Sequence, residues 1–228
     1  IATVEDDNGD QEERMSAQMQ TGVETDFDVG IVGLGPVGVT LAGLLAQQGI
    51  RVLAADAAPD VYNLPRALGM DHEVMRAFQQ LSSAEELGPI IGPYRPSEYR
   101  TAEHDVIRRF DSQKPPYPLG WPPYMTFVQP RLEAVLRARG GPRPQRLTDI
   151  RVSTEVVALA DIDGTPKLTL RSRATQDTVT VSARYVIGCD GGQSFVRREL
   201  GIGFEDLQFD EPWIVVDMLV EPGVELPD

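Results

Sequence analysis

Cysteine and histidine are scarce in this chain of 228 residues, which has one cysteine and two histidines. The single Cys189 excludes a disulfide framework within the chain and is typical of a reducing compartment. Because His72 and His104 stand apart, the ligand spacing of a metal centre is missing, and we predict no metal site. A serine nucleophile is equally unsupported, since Ser194 lies in no GxSxG motif and no histidine is placed to serve it.

Basic residues are also in the minority, with 21 lysines and arginines against 35 acids and a net charge of −14. This acidic balance gives no support to nucleic-acid binding. No run approaches the roughly 18 apolar residues of a membrane span, and no signal peptide is visible. We therefore expect a soluble, cytoplasmic protein that binds neither nucleic acid nor membrane. Acids are concentrated near the start, where residues 1–26 are predicted to form a flexible extension.

Residues 27–56 have the pattern of a strand, a glycine turn, a helix and a second strand. The apolar run FDVGIV is followed by GLGPVG and then by apolar residues at helical spacing. In a dinucleotide-binding turn, Gly33 permits the tight turn and Gly35 lets the backbone approach a pyrophosphate. Gly38 lets the helix pack closely on the strand. We predict a dinucleotide site here; a βαβ unit that binds nothing is the alternative.

The two ends of this unit also suit a dinucleotide. Pro36 and Val37 stand where the helix begins, and its unpaired N–H groups and positive dipole end attract phosphates. A second apolar run leads to Asp56, eighteen residues after Gly38. A carboxylate at that distance can accept hydrogen bonds from a ribose diol.

The rest of the chain predicts short helices and strands. Asp71 suits the N-cap of one helix, and Gln129-Pro130 suits the start of another. Asp163-Gly164 is a turn signal between strands, so a β-meander is expected. The predicted helices cover residues 74–81, 131–138 and 194–200, and the predicted strands lie within 98–110, 124–128, 150–159, 167–173, 178–183, 184–189 and 213–220.

A second motif repeats the logic of the first. An apolar run ends at Cys189 and is followed by Asp190, Gly191 and Gly192 and by the start of a helix. Asp190 at the end of a strand can hydrogen-bond to a sugar hydroxyl, and the glycines allow a cofactor to approach closely. Taken alone, these residues also fit a strand, turn and helix in which Asp190 only caps the helix.

Together the motifs resemble the class A flavoprotein aromatic hydroxylases, which are single-component FAD monooxygenases, and especially their 3-(3-hydroxyphenyl)propionate hydroxylase-like branch. The resemblance extends over residues 27–220. The segments that carry it are the glycine turn Gly33 to Gly38, Asp56, Pro65-Arg66-Ala67 with the following GMDHEVMR, the Gln129-Pro130 helix start, Asp190 to Arg197, and WIVVDMLV.

The resemblance implies an α/β fold, with a Rossmann-like FAD-binding domain of the glutathione reductase type, a β-meander and part of a mixed-sheet substrate domain. It predicts the first part of the FAD-binding domain over residues 27–96 and its second part over 129–205. Substrate-side strands and a loop are expected over 97–128. Residues 206–228 would begin the substrate-binding sheet.

The resemblance also implies roles. FAD would be the cofactor and NAD(P)H the co-substrate, with O2 and a phenolic substrate. The pyrophosphate would lie on the glycine turn, the adenosine ribose on Asp56, and the ribityl region near Arg66, Gln129 and Asp190. The full set assigned to the cofactor is Gly33, Gly35, Pro36, Val37, Gly38, Asp56, Ala57, Arg66, Gln129, Asp190 and Gly191.

Two departures from the family pattern leave alternatives open. Most members have Glu where this chain has Asp56, and the family's later Gly-Asp motif does not occur before Asp228. We therefore expect the N-terminal portion of a hydroxylase, whose partner would be the remainder of its own chain or a second copy. Another FAD-dependent oxidase, epoxidase or reductase, an NAD-binding dehydrogenase, and a flavin-binding module needing a partner chain are the alternatives. His72 is a candidate catalytic base, with a structural histidine as its alternative.

Overall fold

A computed structural model describes residues 24–63, 67–81, 84–94, 96–110, 114–140 and 147–210, together with 212, 220, 221, 223 and 224. The predicted strand over 213–220 and predicted cofactor residue Arg66 therefore lie outside the described residues, apart from Val220. Residues 1–23 of the predicted N-terminal extension also lie outside the described residues. Its last residue, Asp26, accepts hydrogen bonds from the backbone N–H and the hydroxyl of Ser182, each at 2.8 Å.

The described part of the chain contains eleven strands, five α-helices and one 3-10 helix. The strands are β1 (Phe27–Val32), β2 (Val52–Ala55), β3 (Gly69–Asp71), β4 (Ile91–Pro93), β5 (Ser97–Arg100), β6 (Val106–Phe110), β7 (Tyr124–Phe127), β8 (Thr148–Arg151), β9 (Thr154–Ile162), β10 (Thr165–Ser172) and β11 (Thr178–Gly188). The α-helices are α1 (Pro36–Gln47), α2 (His72–Gln79), α3 (Ala84–Leu87), α4 (Gln129–Gly140) and α5 (Phe195–Glu199), and a 3-10 helix covers Gly88–Ile90.

A six-stranded sheet in the order β8-β2-β1-β11-β10-β9 positions the rest of the structure. Its first four strands are parallel, and β9, β10 and β11 form the antiparallel meander that the sequence predicts. Because connections between parallel strands must cross over the sheet, β1 is joined to β2 by α1. The α/β fold that the resemblance implies is confirmed.

Both faces of the parallel strands are covered, which explains why β2 and the buried residues 29–32 of β1 carry no polar side chain. Val29 and Ile31 of β1 belong to a core shared with α1, α2 and α4. Val32 points to the other face, into a core shared with the meander. Gly30 also faces the meander, where an added Cβ would lie 3.1 Å from Cδ1 of Leu168.

Helices α1 and α4 pack against each other on the first face. Pro36 is at the start of α1, where its missing N–H costs no hydrogen bond. Leu132 and Leu136 place the buried side of α4 in the core. Within the described residues, no helix has the length and apolarity to cross a membrane.

Two smaller sheets lie between β2 and α4 in the chain. One has the order β3-β7-β4, and the other is the hairpin of β5 and β6 that the sequence predicts. The side chain of Asp71 accepts a hydrogen bond from the Val74 N–H at 2.8 Å, which confirms it as the N-cap of α2.

Two predicted strand boundaries are wrong. The sequence predicts separate strands over 178–183 and 184–189, but β11 is continuous from Thr178 to Gly188. Its first half pairs with β10 and its second half with β1, so the strand changes partner without a break. The predicted strand 150–159 is instead divided between β8 and β9, because Ser153 takes φ of 50° between them.

The packing of the meander on the parallel strands predicts a large effect of truncating Leu168, which is fully buried between them. Leu168→Ala should lower the free energy of unfolding by about 2–5 kcal/mol, since it removes apolar contacts and leaves a cavity. Denaturant unfolding of the purified chain measures this. Leu207→Ala is the matched control, because Leu207 is 79% exposed and its truncation should change stability by no more than about 0.5 kcal/mol. Equal losses in the two variants would contradict this description of the core.

Candidate cofactor-binding site

A cleft of about 740 Å³ opens where β1, β2 and β11 end. Ligands of α/β sheets bind outside the carboxyl ends of the strands, and pockets for such ligands measure roughly 300–1,000 Å³. The walls carry several carboxylates and two guanidinium groups. The lining residues are Val32, Gly33, Gly35, Pro36, Val37, Ala55, Asp56, Ala57, Ala58, Asp60, Tyr62, Ala67, Gln129, Glu133, Arg137, Thr154, Glu155, Val156, Cys189, Asp190, Gly191, Gln193, Phe195 and Arg198.

The three glycines of the turn between β1 and α1 have different surroundings. Gly33 takes φ of 97°, and an added Cβ would lie 2.5 Å from the carbonyl oxygen of Cys189. At Gly38 a Cβ would lie 1.9 Å from the carbonyl oxygen of Gly33. At Gly35 a Cβ would meet no described atom within 4 Å. Packing therefore requires glycine at Gly33 and Gly38, whereas Gly35 leaves the cleft wall without a side chain.

The N-terminus of α1 lies at this part of the cleft wall, where Gly35 presents no side chain. Gly35 is its N-cap, and among the described residues no side chain caps the helix or places an acid in its first turn. Pro36 and Val37 line the cleft. The first-turn N–H groups and the positive end of the helix dipole therefore suit an anion such as a phosphate.

Asp56 connects the glycine turn to the loop after β2. Its Oδ2 accepts a hydrogen bond from the Leu34 N–H at 2.7 Å, and its Oδ1 accepts one from the Ala58 N–H at 2.8 Å. Because a carboxylate has about four acceptor positions, lone pairs remain for a ligand. The carboxylate is thus held by backbone groups on the cleft wall, and binding of a ribose by Asp56 stays a prediction.

Asp190 has the capping role that the sequence left open as an alternative. Its carboxylate accepts hydrogen bonds from the N–H groups of Phe195 at 2.6 Å and Val196 at 3.1 Å, and from the Ser194 hydroxyl. It also lines the cleft, so a sugar contact stays a prediction. Burial raises the pKa of the neighbouring Cys189 thiol, and the Asp190 charge raises it further. The thiol is therefore protonated at neutral pH and a poor nucleophile.

One face of α4 brings three polar side chains to the cleft. The Gln129 side chain accepts a hydrogen bond from the Ala67 N–H at 2.8 Å and donates one to Oε1 of Glu133 at 2.7 Å. Arg137 donates from Nη2 to the Leu34 carbonyl at 2.9 Å. This face therefore connects the segment that follows Arg66 with the glycine turn.

The structure brings most of the predicted cofactor residues together. Gly38 packs behind the cleft wall, and Arg66 lies outside the described residues. His72 does not line the cleft; it is the first residue of α2, and its Nδ1 is buried without a hydrogen-bond partner among the described residues. The predicted residues that line the cleft are Gly33, Gly35, Pro36, Val37, Asp56, Ala57, Gln129, Asp190 and Gly191.

The sequence did not identify Glu133 and Arg137 as site residues. Both follow Gln129 at intervals of four residues, the spacing of one helix face. That spacing was a usable signal once Gln129 had been assigned to the cofactor. Among the residues that the structure describes, no group of three or more His, Cys, Asp or Glu could hold a metal ion.

The fold and the cleft define an α/β dinucleotide-binding protein. Residues 26–227 match the family model described as FAD binding domain, so the chain belongs to this family. The predicted resemblance to flavoprotein hydroxylases is thereby confirmed at the level of the family.

Two curated relatives are hydroxylases by name. The chain is 33% identical over 217 residues to a 3-(3-hydroxy-phenyl)propionate/3-hydroxycinnamic acid hydroxylase of Mycolicibacterium gilvum, covering 87% of the chain and 34% of the relative. It is 36% identical over 201 residues to a probable NADH-specific resorcinol 4-hydroxylase of Rhodococcus jostii, covering 88% of the chain and 37% of the relative. The chain thus spans about a third of the length of these relatives.

Solved structures share the fold. The flavin-dependent monooxygenase PieE, in complex with FAD and substrate, matches with a TM-score of 0.67 and 23% identity over 80% of this chain and 33% of its own. The p-nitrophenol 4-monooxygenase PnpA from Pseudomonas putida matches with a TM-score of 0.66 and 23% identity, over 80% of this chain and 45% of its own. These matches confirm the predicted Rossmann-like fold.

The surroundings of the glycines predict different outcomes for two alanine substitutions. Gly38→Ala should lower the free energy of unfolding by at least about 1–3 kcal/mol, because the new methyl group would collide with backbone. Gly35→Ala should change stability by no more than about 1 kcal/mol, since φ of −66° suits alanine and the added Cβ meets open space, while the loss of a favoured N-cap residue offsets the gain from a less flexible unfolded chain. Thermal or denaturant unfolding without ligand compares the two. The description of the turn is wrong if Gly38→Ala is the better tolerated variant.

Proposed function

We propose that this chain binds FAD in the cleft and is the FAD-binding part of an enzyme that hydroxylates a phenolic or other aromatic substrate with NAD(P)H and O2. The observation that carries the proposal is the bare N-terminus of α1 at Gly35, which opens into the cleft of a chain from the FAD-binding family. The names of the relatives, hydroxylases of hydroxyphenylpropionate and of resorcinol, favour an aromatic substrate.

The residues of the cleft fit the adenosine and pyrophosphate portions of FAD. Gly35, Pro36 and Val37 would lie against the pyrophosphate, because no side chain intervenes at Gly35 and the helix end is positive. Asp56 would accept hydrogen bonds from the adenosine ribose, and Asp190 would do so from sugar-like hydroxyls nearer the flavin. When bound, FAD supplies the hydride-accepting and oxygen-activating chemistry that amino-acid side chains do not provide.

The relatives also inform the co-substrate and the alternatives. The Rhodococcus relative is named as NADH-specific, which makes NADH the first donor to test and NADPH the second. A second copy of the chain, or further polypeptide, would complete the site on the substrate side. An FAD-dependent oxidase, epoxidase or reductase would use the same cleft but would carry out a different reaction, and an aromatic compound would not be its hydroxylated substrate.

Binding of FAD is tested by the visible spectrum of the purified protein. The wild type should carry or take up FAD and show the absorption of oxidised flavin. Gly35→Val should fold but lose FAD, because the branched side chain would occupy the space of the pyrophosphate. Gly88→Val is the control, since Gly88 also has open space around it but lies outside the cleft. Full FAD occupancy in Gly35→Val would show that the turn is not the phosphate site.

Hydroxylation is tested by NAD(P)H oxidation in the presence of a panel of phenols, with oxygen uptake and product analysis. Once its substrate side is completed, the FAD-loaded protein should oxidise NADH or NADPH faster when a suitable phenol is present, because each hydroxylation consumes reducing equivalents from NAD(P)H. Gly35→Val, which lacks FAD, is the control for flavin-independent oxidation. If FAD binds but no aromatic compound stimulates oxidation by the protein with its substrate side completed, an oxidase or reductase replaces the hydroxylase as the proposed function.

A further inference from the structure

The buried side of α4 carries an unusual amount of polar surface. Gln129, Glu133 and Arg137 follow one another at intervals of four residues, and the first two are 3% and 1% exposed. Arg137 is 15% exposed at its side chain. Long charged side chains are rarely buried unless they are paired or bind a ligand.

Glu133 does not fully satisfy Arg137. The distance from Nη2 of Arg137 to Oε2 of Glu133 is 4.0 Å, which is too long for a hydrogen bond. The carboxylate instead accepts its hydrogen bond from Gln129, on the side of the helix turn away from Arg137. Glu133 therefore balances the charge of Arg137 from a distance without occupying its donors.

The guanidinium group keeps a buried donor available. Its Nη2 donates to the Leu34 carbonyl at 2.9 Å, which holds the group next to the glycine turn. Its Nε is buried and has no hydrogen-bond partner among the described residues. An unsatisfied buried donor is unfavourable and needs an explanation, and beside a cleft one such explanation is a ligand that completes the hydrogen bonds of the group.

Arg137 lines the same cleft as Gly35 and Val37, beside the uncapped end of α1. A guanidinium group presents a rigid fork of donors that matches two phosphate oxygens, and such charge-assisted hydrogen bonds are strong. The helix end and the arginine would therefore act on the same anion. Neither the glycine pattern nor the Asp-Gly motif includes this residue.

We propose that Arg137 is a ligand for the pyrophosphate of the bound dinucleotide. The Leu34 carbonyl holds its guanidinium group in place, Glu133 balances its charge from 4.0 Å, and Gln129 extends the same helix face to Ala67. The inference rests on the proposed binding of FAD and adds to it a residue that would select phosphate-bearing ligands. Adenosine, which lacks phosphate, would gain nothing from Arg137, whereas ADP would.

The test compares the affinities of FAD, ADP and adenosine by calorimetry or by displacement of FAD. Arg137→Met should weaken the binding of FAD and of ADP by about 10- to 100-fold, the effect of losing hydrogen bonds to a charged group. The affinity for adenosine should not change. Arg131→Met is the matched control, because it removes the same charge from an exposed position of the same helix and should leave all three affinities unchanged.

Arg137→Lys keeps the test decisive if the methionine variant does not fold. Lysine retains the positive charge but lacks the planar pair of N–H donors. This variant should therefore bind ADP less tightly than the wild type does, and adenosine as tightly as the wild type does. The inference is overturned if the affinities for ADP and adenosine fall together, since Arg137 would then only shape the cleft. It is also overturned if the Arg137 variants bind ADP as tightly as Arg131→Met does. FAD binding by those variants would leave the proposed function intact. A wild type that binds neither FAD nor ADP would overturn both.

Discussion

The contact of backbone on backbone between β1, α1 and β11 is the constraint on which the site depends. The first turn of α1 lies so close to the turn after β1 that the carbonyl of Gly33 excludes any Cβ at Gly38. Gly33 itself lies against the backbone of Cys189, whose N–H donates to the Val32 carbonyl at 2.7 Å. Because no side chain separates these segments, their ends meet at one edge, and the helix end, Asp56 and Asp190 reach the same cleft.

The meander connects these backbone contacts to the rest of the six-stranded sheet. β11 belongs to the meander along its first half and to the parallel sheet along its second, with fully buried Ala183 at the junction. The meander also covers the face of β1 and β2 opposite α1, where Leu168 packs over Gly30. The position of Asp190 beside the glycine turn is therefore determined by two cores, one on each side of the same strands.

Sequence reasoning identifies those features whose cause is local. A glycine turn between a strand and a helix, an acid after the second strand and an N-cap at Asp71 each depend on a few neighbouring residues, and the structure has the predicted strands, helix and cap in place. Features caused by tertiary contacts were not predictable in the same way. The continuity of β11 depends on a change of partner strand, and the position of Arg137 beside the glycine turn depends on a carbonyl at Leu34, about a hundred residues earlier.

Asp56 and Asp190 are held in the cleft in a different way from Arg137, and this difference bears on ligand binding. Asp56 and Asp190 accept hydrogen bonds from backbone N–H groups at the ends of regular elements, so they are fixed before a ligand arrives. Ordering them then costs little on binding, and ribose hydroxyls would add to lone pairs that remain. Arg137 is held by one carbonyl and retains a buried donor. If Arg137 binds a phosphate as proposed, binding energy at this end would come from adding partners to an incompletely bonded guanidinium group, whereas at the sugar end it would come from preformed groups.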